Sequence, residues 1–194
     1  TVLESSPDQI IHIPRVLYHW RAHSESTASN PDSKDYTTES GHKAVQHFLD
    51  EQHRRGGVRA TARIKAKNRF TCQWHIPEKS PSVELIIPTR DQAEVLNLAV
   101  DSIITKTTYT NYTITVVDNQ SEEVATKNLF KNLKRVHGEK INIIKYNKKF
   151  NYSAINNYAV RKSKADIVIL VNNDVEVISS KWLQEIVSHT SRPD

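Results

Sequence analysis

VELIIPTRD, residues 83–91, is the stretch on which the reading of this chain turns. Val83 to Ile87 is an apolar run interrupted only by Glu84, and Pro88, Thr89, Arg90 and Asp91 close it. A run this short, ended by proline and turn formers, reads as a strand. The same grammar recurs downstream. Ile114–Val117 runs into Asp118, Asn119, Gln120 and Ser121, and Ile141–Tyr146 is followed by Phe150, Asn151, Tyr152 and Ser153. Ile167–Val171 ends in Asn172, Asn173, Asp174, Val175 and Glu176. As a continuous β-branched run it reads as a strand buried on both faces.

Helical stretches separate these strands. Asp91 and Glu94 make a capping-box pattern for the first helix, and Ser121 can cap the second. Ser153–Lys162 is the third, and Ser179 or Ser180 opens a fourth carrying Trp182, Leu183, Ile186 and Val187. Strand–helix alternation of this kind predicts an α/β fold with a mostly parallel, Rossmann-like sheet and right-handed crossovers.

Upstream the texture differs. Residues 1–35 are polar and irregular, with prolines at 7, 14 and 31. Tyr36 to Arg55 reads as a helix with Ala44, Val45, Phe48 and Leu49 on one face, stopped by Gly56-Gly57. Val58–Ile64 and Arg69–Ile76 follow as a β-hairpin joined by residues 65–68, and Pro77 and Pro81 bracket a linker. The expected organisation is therefore an N-terminal segment, 1–80, and an α/β unit, 81–194.

Bulk properties bound the function. The chain has 194 residues, 37% of them hydrophobic, enough for a sizeable core. A single cysteine, Cys72, excludes an internal disulfide framework and suits a reducing compartment. Net charge is +5, from 27 basic and 22 acidic residues. It is spread as +3 before and +2 after Ser80 (12 minus 9, then 15 minus 13), without the concentrated field of a nucleic-acid binder. The basic excess reads first as a solvated surface, and it would also suit an anionic membrane face or phosphate-bearing substrates. Nine histidines occur without a CxxC or HExxH pattern, so a zinc site on His19 and His23 is not expected, and His42, His47 and His53 read as the wet face of a helix. The chain contains no methionine, which suggests a piece of a longer protein.

Ligands of open α/β sheets bind beyond the carboxyl ends of the strands. Four polar clusters at such ends make a ligand site the expectation. Only Gly138 is glycine in the second half, which excludes the Gly-rich phosphate loops. A phosphate ligand must then be held by side chains and a metal. Asp174 and Glu176, two apart in an extended segment, with Asn172, offer hard oxygen ligands to Mg²⁺ or Mn²⁺. Asp118 can accept hydrogen bonds from a nucleobase edge.

At these residues the chain resembles glycosyltransferases of family 2. VELIIPTRD (83–91) is similar to that family's first strand and sugar-nucleotide loop, and ITVVDNQS (114–121) to its second strand with the base-binding aspartate. FNYSAINNYAV (150–160), VILVNNDVEVI (168–178) and WLQEIV (182–187) resemble the segment around the DxD-type metal motif and the helix after it. The resemblance implies a GT-A fold, a nucleotide-diphosphate sugar donor, and Mg²⁺ or Mn²⁺. It places Pro88, Thr89, Arg90, Asp91, Asp118, Asn119, Asn157 and Asn173 around the nucleotide, and Asp174, with Glu176 and Asn172, at the metal. It further implies inverting transfer of a hexosyl or deoxyhexosyl group to a glycan or lipid-linked acceptor, in bacterial polysaccharide synthesis of the rhamnan type. The family's carboxylate base lies downstream of the metal motif. It is expected beyond Asp194, so the fragment is expected to be inactive alone. Cytoplasmic location at the inner membrane face, peripheral membrane association and self-association through an exposed sheet edge complete the expectations.

Two departures stand out. The metal motif reads Asn172-Asn173-Asp174, so an amide replaces the usual first carboxylate, and Gln120 stands where the family often has a small residue or Asn. The first departure supports the alternative of a degenerate, non-catalytic transferase domain serving as a scaffold. HIPRVLYHWR (12–21) resembles the tail that closes a transferase unit in tandem enzymes, before a linker and a second unit.

Overall fold

The computed structural model describes residues 11–19 and 36–191. Residues 11–19 carry no helix or strand, and Trp20, His23 and the Ser-rich stretch lie outside the described residues.

Helix α1, Tyr36–Arg54, ends where Gly56 takes a φ of +96° that a side chain would resist. Val45, Phe48 and Leu49 pack on Ala60 and Ala62 of β1, Ala60–Ala66. Ala44, expected on that face, is exposed. β1 pairs antiparallel with β2, Arg69–Trp74, through a two-residue turn in which Asn68 has a φ of +53°. The free backbone edge of β1 finds partners on α1. Gln46 Oε1 accepts the Ala62 N–H at 2.8 Å, and His42 Nε2 lies 3.0 Å from the Ala62 carbonyl. His42 therefore belongs to the contact with the hairpin rather than to a wet face, because an open strand edge demands polar partners.

The second unit is a four-stranded, wholly parallel sheet in the order β5-β4-β3-β6. Its strands are β3 (Val83–Thr89), β4 (Tyr112–Asp118), β5 (Ile141–Lys145) and β6 (Ile167–Leu170). The helices are α2 (Ala93–Lys106), α3 (Val124–His137), α4 (Tyr152–Val160) and α5 (Trp182–Thr190). Side-chain alternation along β3 sorts the layers. Val83, Leu85 and Ile87 pack with Leu96, Val100 and Ile103 of α2, Leu133 of α3, and Leu183 and Val187 of α5. Ile86 faces the other way, onto Ile155 and Ala159 of α4. The α/β architecture expected from the sequence is the one observed.

β6 corrects one expectation. Its β-branched run predicts burial on both faces, yet it is the edge strand, with Leu170 48% exposed. Composition reports how a strand would pack, while the number of neighbours it has is decided by the rest of the sheet. The start of β6 is tied to the start of β3 by Asp166. Its Oδ2 accepts from the Ser82 N–H at 2.8 Å and the Ser82 hydroxyl at 2.7 Å. These bonds hold its carboxyl below the usual 3.8.

Candidate functional site

The four strand ends converge as the topology demands. β3 and β4 are adjacent and in register, so Thr89 sits opposite Asp118, and the Asn119 N–H donates to the Thr89 carbonyl at 2.9 Å. Beyond them lies a cavity of about 190 Å³ lined by Pro88, Thr89, Arg90, Asn119, Phe150, Tyr152, Ile155, Asn172 and Asn173. Every one of the four polar clusters reaches it or flanks it.

Buried polar groups organise this wall. Thr89 is 5% exposed, and its hydroxyl oxygen accepts from Asn173 Nδ2 at 3.3 Å, joining the first cluster to the fourth. Asn119 is 2% exposed and donates through Nδ2 to the carbonyls of Tyr146 at 3.0 Å and Lys148 at 2.9 Å. Its Oδ1 is buried and has no partner. An acceptor left unpaired in a protein interior costs about 1–3 kcal/mol. Asn151 caps α4 through the Ala154 N–H at 2.9 Å, which fixes the Phe150–Tyr152 rim. The Tyr152 hydroxyl reaches Asn172 Oδ1 at 3.4 Å.

Asp91 and Ser121 do not do what local sequence predicts. α2 has Gln92 at its N-cap, without a side-chain cap, and α3 has Glu123 there, likewise uncapped. Asp91, at a φ of +55°, instead receives the N–H groups of Glu122 at 2.8 Å and Glu123 at 2.9 Å on Oδ1. Its own N–H donates to the Ser121 hydroxyl at 2.9 Å. The negative carboxylate thus supports the loop before α3, where the helix dipole is positive. Asp118, 8% exposed, accepts the Ser121 N–H at 2.9 Å. It opens not into the small cavity but into an adjoining groove with Gln120, Ser121, Lys127 and Asn147.

Of the three expected metal ligands, Glu176 is engaged elsewhere. Among the described residues no three His, Cys, Asp or Glu side chains cluster. Residues 173–174 form a turn, so Asp174 and Glu176 are not alternate members of one extended segment. Glu176 is ion-paired with Lys106 at 2.7 Å, at the far end of α2. Asp174 is exposed. Asn157 is exposed on α4 and does not line the cavity, whereas its neighbour Asn156 is buried with an unpartnered Oδ1. Phe150, Tyr152 and Ile155 line the cavity although they were not among the predicted site residues; the third polar cluster was the signal for the first two, and Ile155 follows one turn into α4.

The profile of Glycosyl transferase family 2 matches residues 84–194. The chain belongs to that family. The O-antigen biosynthesis protein RfbC of Myxococcus xanthus is 30% identical over 192 residues, covering 99% of this chain and 14% of its own length. The uncharacterised protein y4gI of Sinorhizobium fredii (strain NBRC 101917 / NGR234) is 39% identical over 194 residues, covering 95% of this chain and 20% of its own length. The chain thus spans a fifth or less of these relatives. The fold is also that of solved GT-A transferases. A mannosyltransferase of Pyrobaculum calidifontis, solved with GDP-Man and Mn²⁺, superposes with a TM-score of 0.55 at 16% identity, over 81% of this chain and 42% of that one. GalNAc-T7, solved with UDP, GalNAc and Mn²⁺, gives a TM-score of 0.52 at 18% identity, over 60% of this chain and 22% of its own.

Proposed function

We propose that this family 2 chain is the donor-binding half of an inverting transferase. It would pass a hexosyl or deoxyhexosyl group from a nucleoside-diphosphate sugar to a glycan or lipid-linked acceptor in polysaccharide synthesis, at the inner face of the cell membrane. The observation that carries this is the cavity at the four strand ends, walled by Thr89, Asn119, Asn172 and Asn173. Thr89, Asn119 and Asn173 would orient the nucleoside, Asp118 would meet the base in the adjoining groove, and Arg90 would face the phosphates. Asp174 with the Asn172 amide oxygen suits Mg²⁺ or Mn²⁺, since such ions take one or two carboxylates and complete their shell with substrate phosphates. A bound cation would offset charge on the departing diphosphate.

Inversion needs a base for the acceptor hydroxyl. Asp91 and Asp118 are committed to backbone N–H groups and Glu176 to Lys106, and Asp174 would serve the metal. These residues are thus expected to bind donor and transfer little on their own. Residues 1–80, most of which RfbC also matches, would be the tail of a preceding unit, on the likeness of HIPRVLYHWR (12–21) to such a tail. Self-association would use the β6 edge, where Leu170 and Ile178, 93% exposed, border an apolar cleft; a clean monomer in sedimentation would exclude it.

A second reading, a degenerate domain acting as a scaffold, is favoured by the amide at 172 and the ion pair that engages Glu176. Calorimetric titration with UDP, GDP and dTDP, with and without Mn²⁺, separates the two. Metal-dependent binding of one nucleotide, lost in Asp174→Ala, supports the transferase; affinity indifferent to that change supports the scaffold.

A further inference from the structure

From Lys145 to Ala165 the chain carries six cations, Lys145, Lys148, Lys149, Arg161, Lys162 and Lys164, and no acidic residue. A second acid-free stretch, residues 52–77, carries seven cations, but it belongs to the N-terminal helix and hairpin and lines none of the donor cavity. The fold draws its two ends together. Lys145 closes β5, Lys148 and Lys149 follow it, and Arg161 and Lys162 leave the end of α4. Lys145, Lys148 and Arg161 rim one groove of about 420 Å³, floored by Tyr146, Ala154 and Tyr158. All six cations are exposed, and none makes an ion pair with a described carboxylate. Lys162 instead lies over the Tyr158 ring at 4.6 Å, and that ring packs edge-on against Tyr146 at 5.4 Å.

We propose that this cationic face docks on the anionic phosphate headgroups of a lipid bilayer. Unpaired exposed charges of one sign repel each other, and a negatively charged surface relieves that repulsion. Within the groove Tyr146 is buried and Tyr158 is covered, so it offers no free ring face for base stacking, and the exposed rings on this segment, Phe150 and Tyr152, line the donor cavity instead. The face also borders the donor cavity. Asn119, in the cavity wall, donates to the carbonyls of Tyr146 and Lys148, and the exposed Phe150 lines the cavity next to Lys149. Docking there would hold the cavity beside the bilayer. The inference stands independently of which nucleotide the cavity takes.

Each cation near an anionic surface strengthens partitioning about fivefold. Flotation with phosphatidylcholine vesicles, with or without phosphatidylglycerol, tests the proposal. The chain should float only with the anionic vesicles and lose this as salt rises. Lys148→Gln/Lys149→Gln and Arg161→Gln/Lys162→Gln should each weaken it on the order of 25-fold. Lys134→Gln/Arg135→Gln removes equal charge from α3, on the opposite layer of the sheet, and should keep most of the binding. All the substituted side chains are exposed, so melting by circular dichroism should be unchanged. No flotation, equal flotation with uncharged vesicles, equal loss in the α3 variant, or tighter binding to duplex DNA at the same phosphate concentration would overturn the proposal.

Discussion

Replacing Asp91 separates two contributions that meet at one residue. Its carboxylate accepts two backbone N–H groups ahead of α3, and its backbone adopts a φ of +55° that aspartate tolerates and alanine resists. Removing a helix-start carboxylate costs typically about 1 kcal/mol, up to about 2. Placing a β-carbon without a polar tip in the left-handed region adds about 1 kcal/mol. Asp91→Ala should therefore lose about 2–3 kcal/mol. Asp91→Gly loses the cap but not the conformation, so it should fall about 1 kcal/mol short of that loss. Asp91→Asn keeps the conformation and one acceptor oxygen and should cost less than about 1 kcal/mol. For a chain of this length each kcal/mol moves the midpoint by about 2–4 °C, so scanning calorimetry should order the midpoints Asp, Asn, Gly, Ala, with Ala lowest by about 5–10 °C. Glycine and alanine variants melting together would refute the conformational term; an alanine variant melting like the parent would refute both.

Other perturbations give distinct readouts. Asp166 has a carboxyl held low by Ser82, so its stabilisation is present above the unfolded value of 3.8 and is lost as pH falls through the lower folded value. Asp166→Asn should accordingly destabilise at neutral pH in urea titrations and converge with the parent in acid. Leu85 is fully buried between β3 and the helix layer, and Leu85→Ala should cost about 2–5 kcal/mol by urea denaturation. Lys106→Met removes the partner of Glu176. An exposed pair contributes about 0–1 kcal/mol, so stability should barely change by thermal melting, and any gain in Mn²⁺ affinity by calorimetry would show that the pair keeps Glu176 from the metal.

The parallel sheet could be read in advance because strand and helix periods differ and every strand ended in turn chemistry. The cavity wall followed for the same reason: a parallel sheet puts all carboxyl ends on one edge, so Thr89, Asn119 and Asn173 had to meet. What escaped were pairings between distant residues. Nothing local to Asp91 announces that its partners are the N–H groups of Glu122 and Glu123, and nothing near Glu176 announces Lys106, 70 positions away. The β6 run likewise carried no mark of its edge position. Asn156 and Asn157 differ only in helical phase, and a one-residue choice on a helix turns the side chain by about 100°.

The proposed donor site holds a nucleoside diphosphate and is closed by a cation at Asp174. A crystal grown with Mn²⁺ and the nucleotide selected by titration, measured for anomalous scattering, tests it most directly. The expected result is a manganese peak against the Asp174 carboxylate and the diphosphate, with the nucleoside against Thr89, Asn119 and Asn173. A nucleotide bound elsewhere, or bound there with no metal at Asp174, would contradict it.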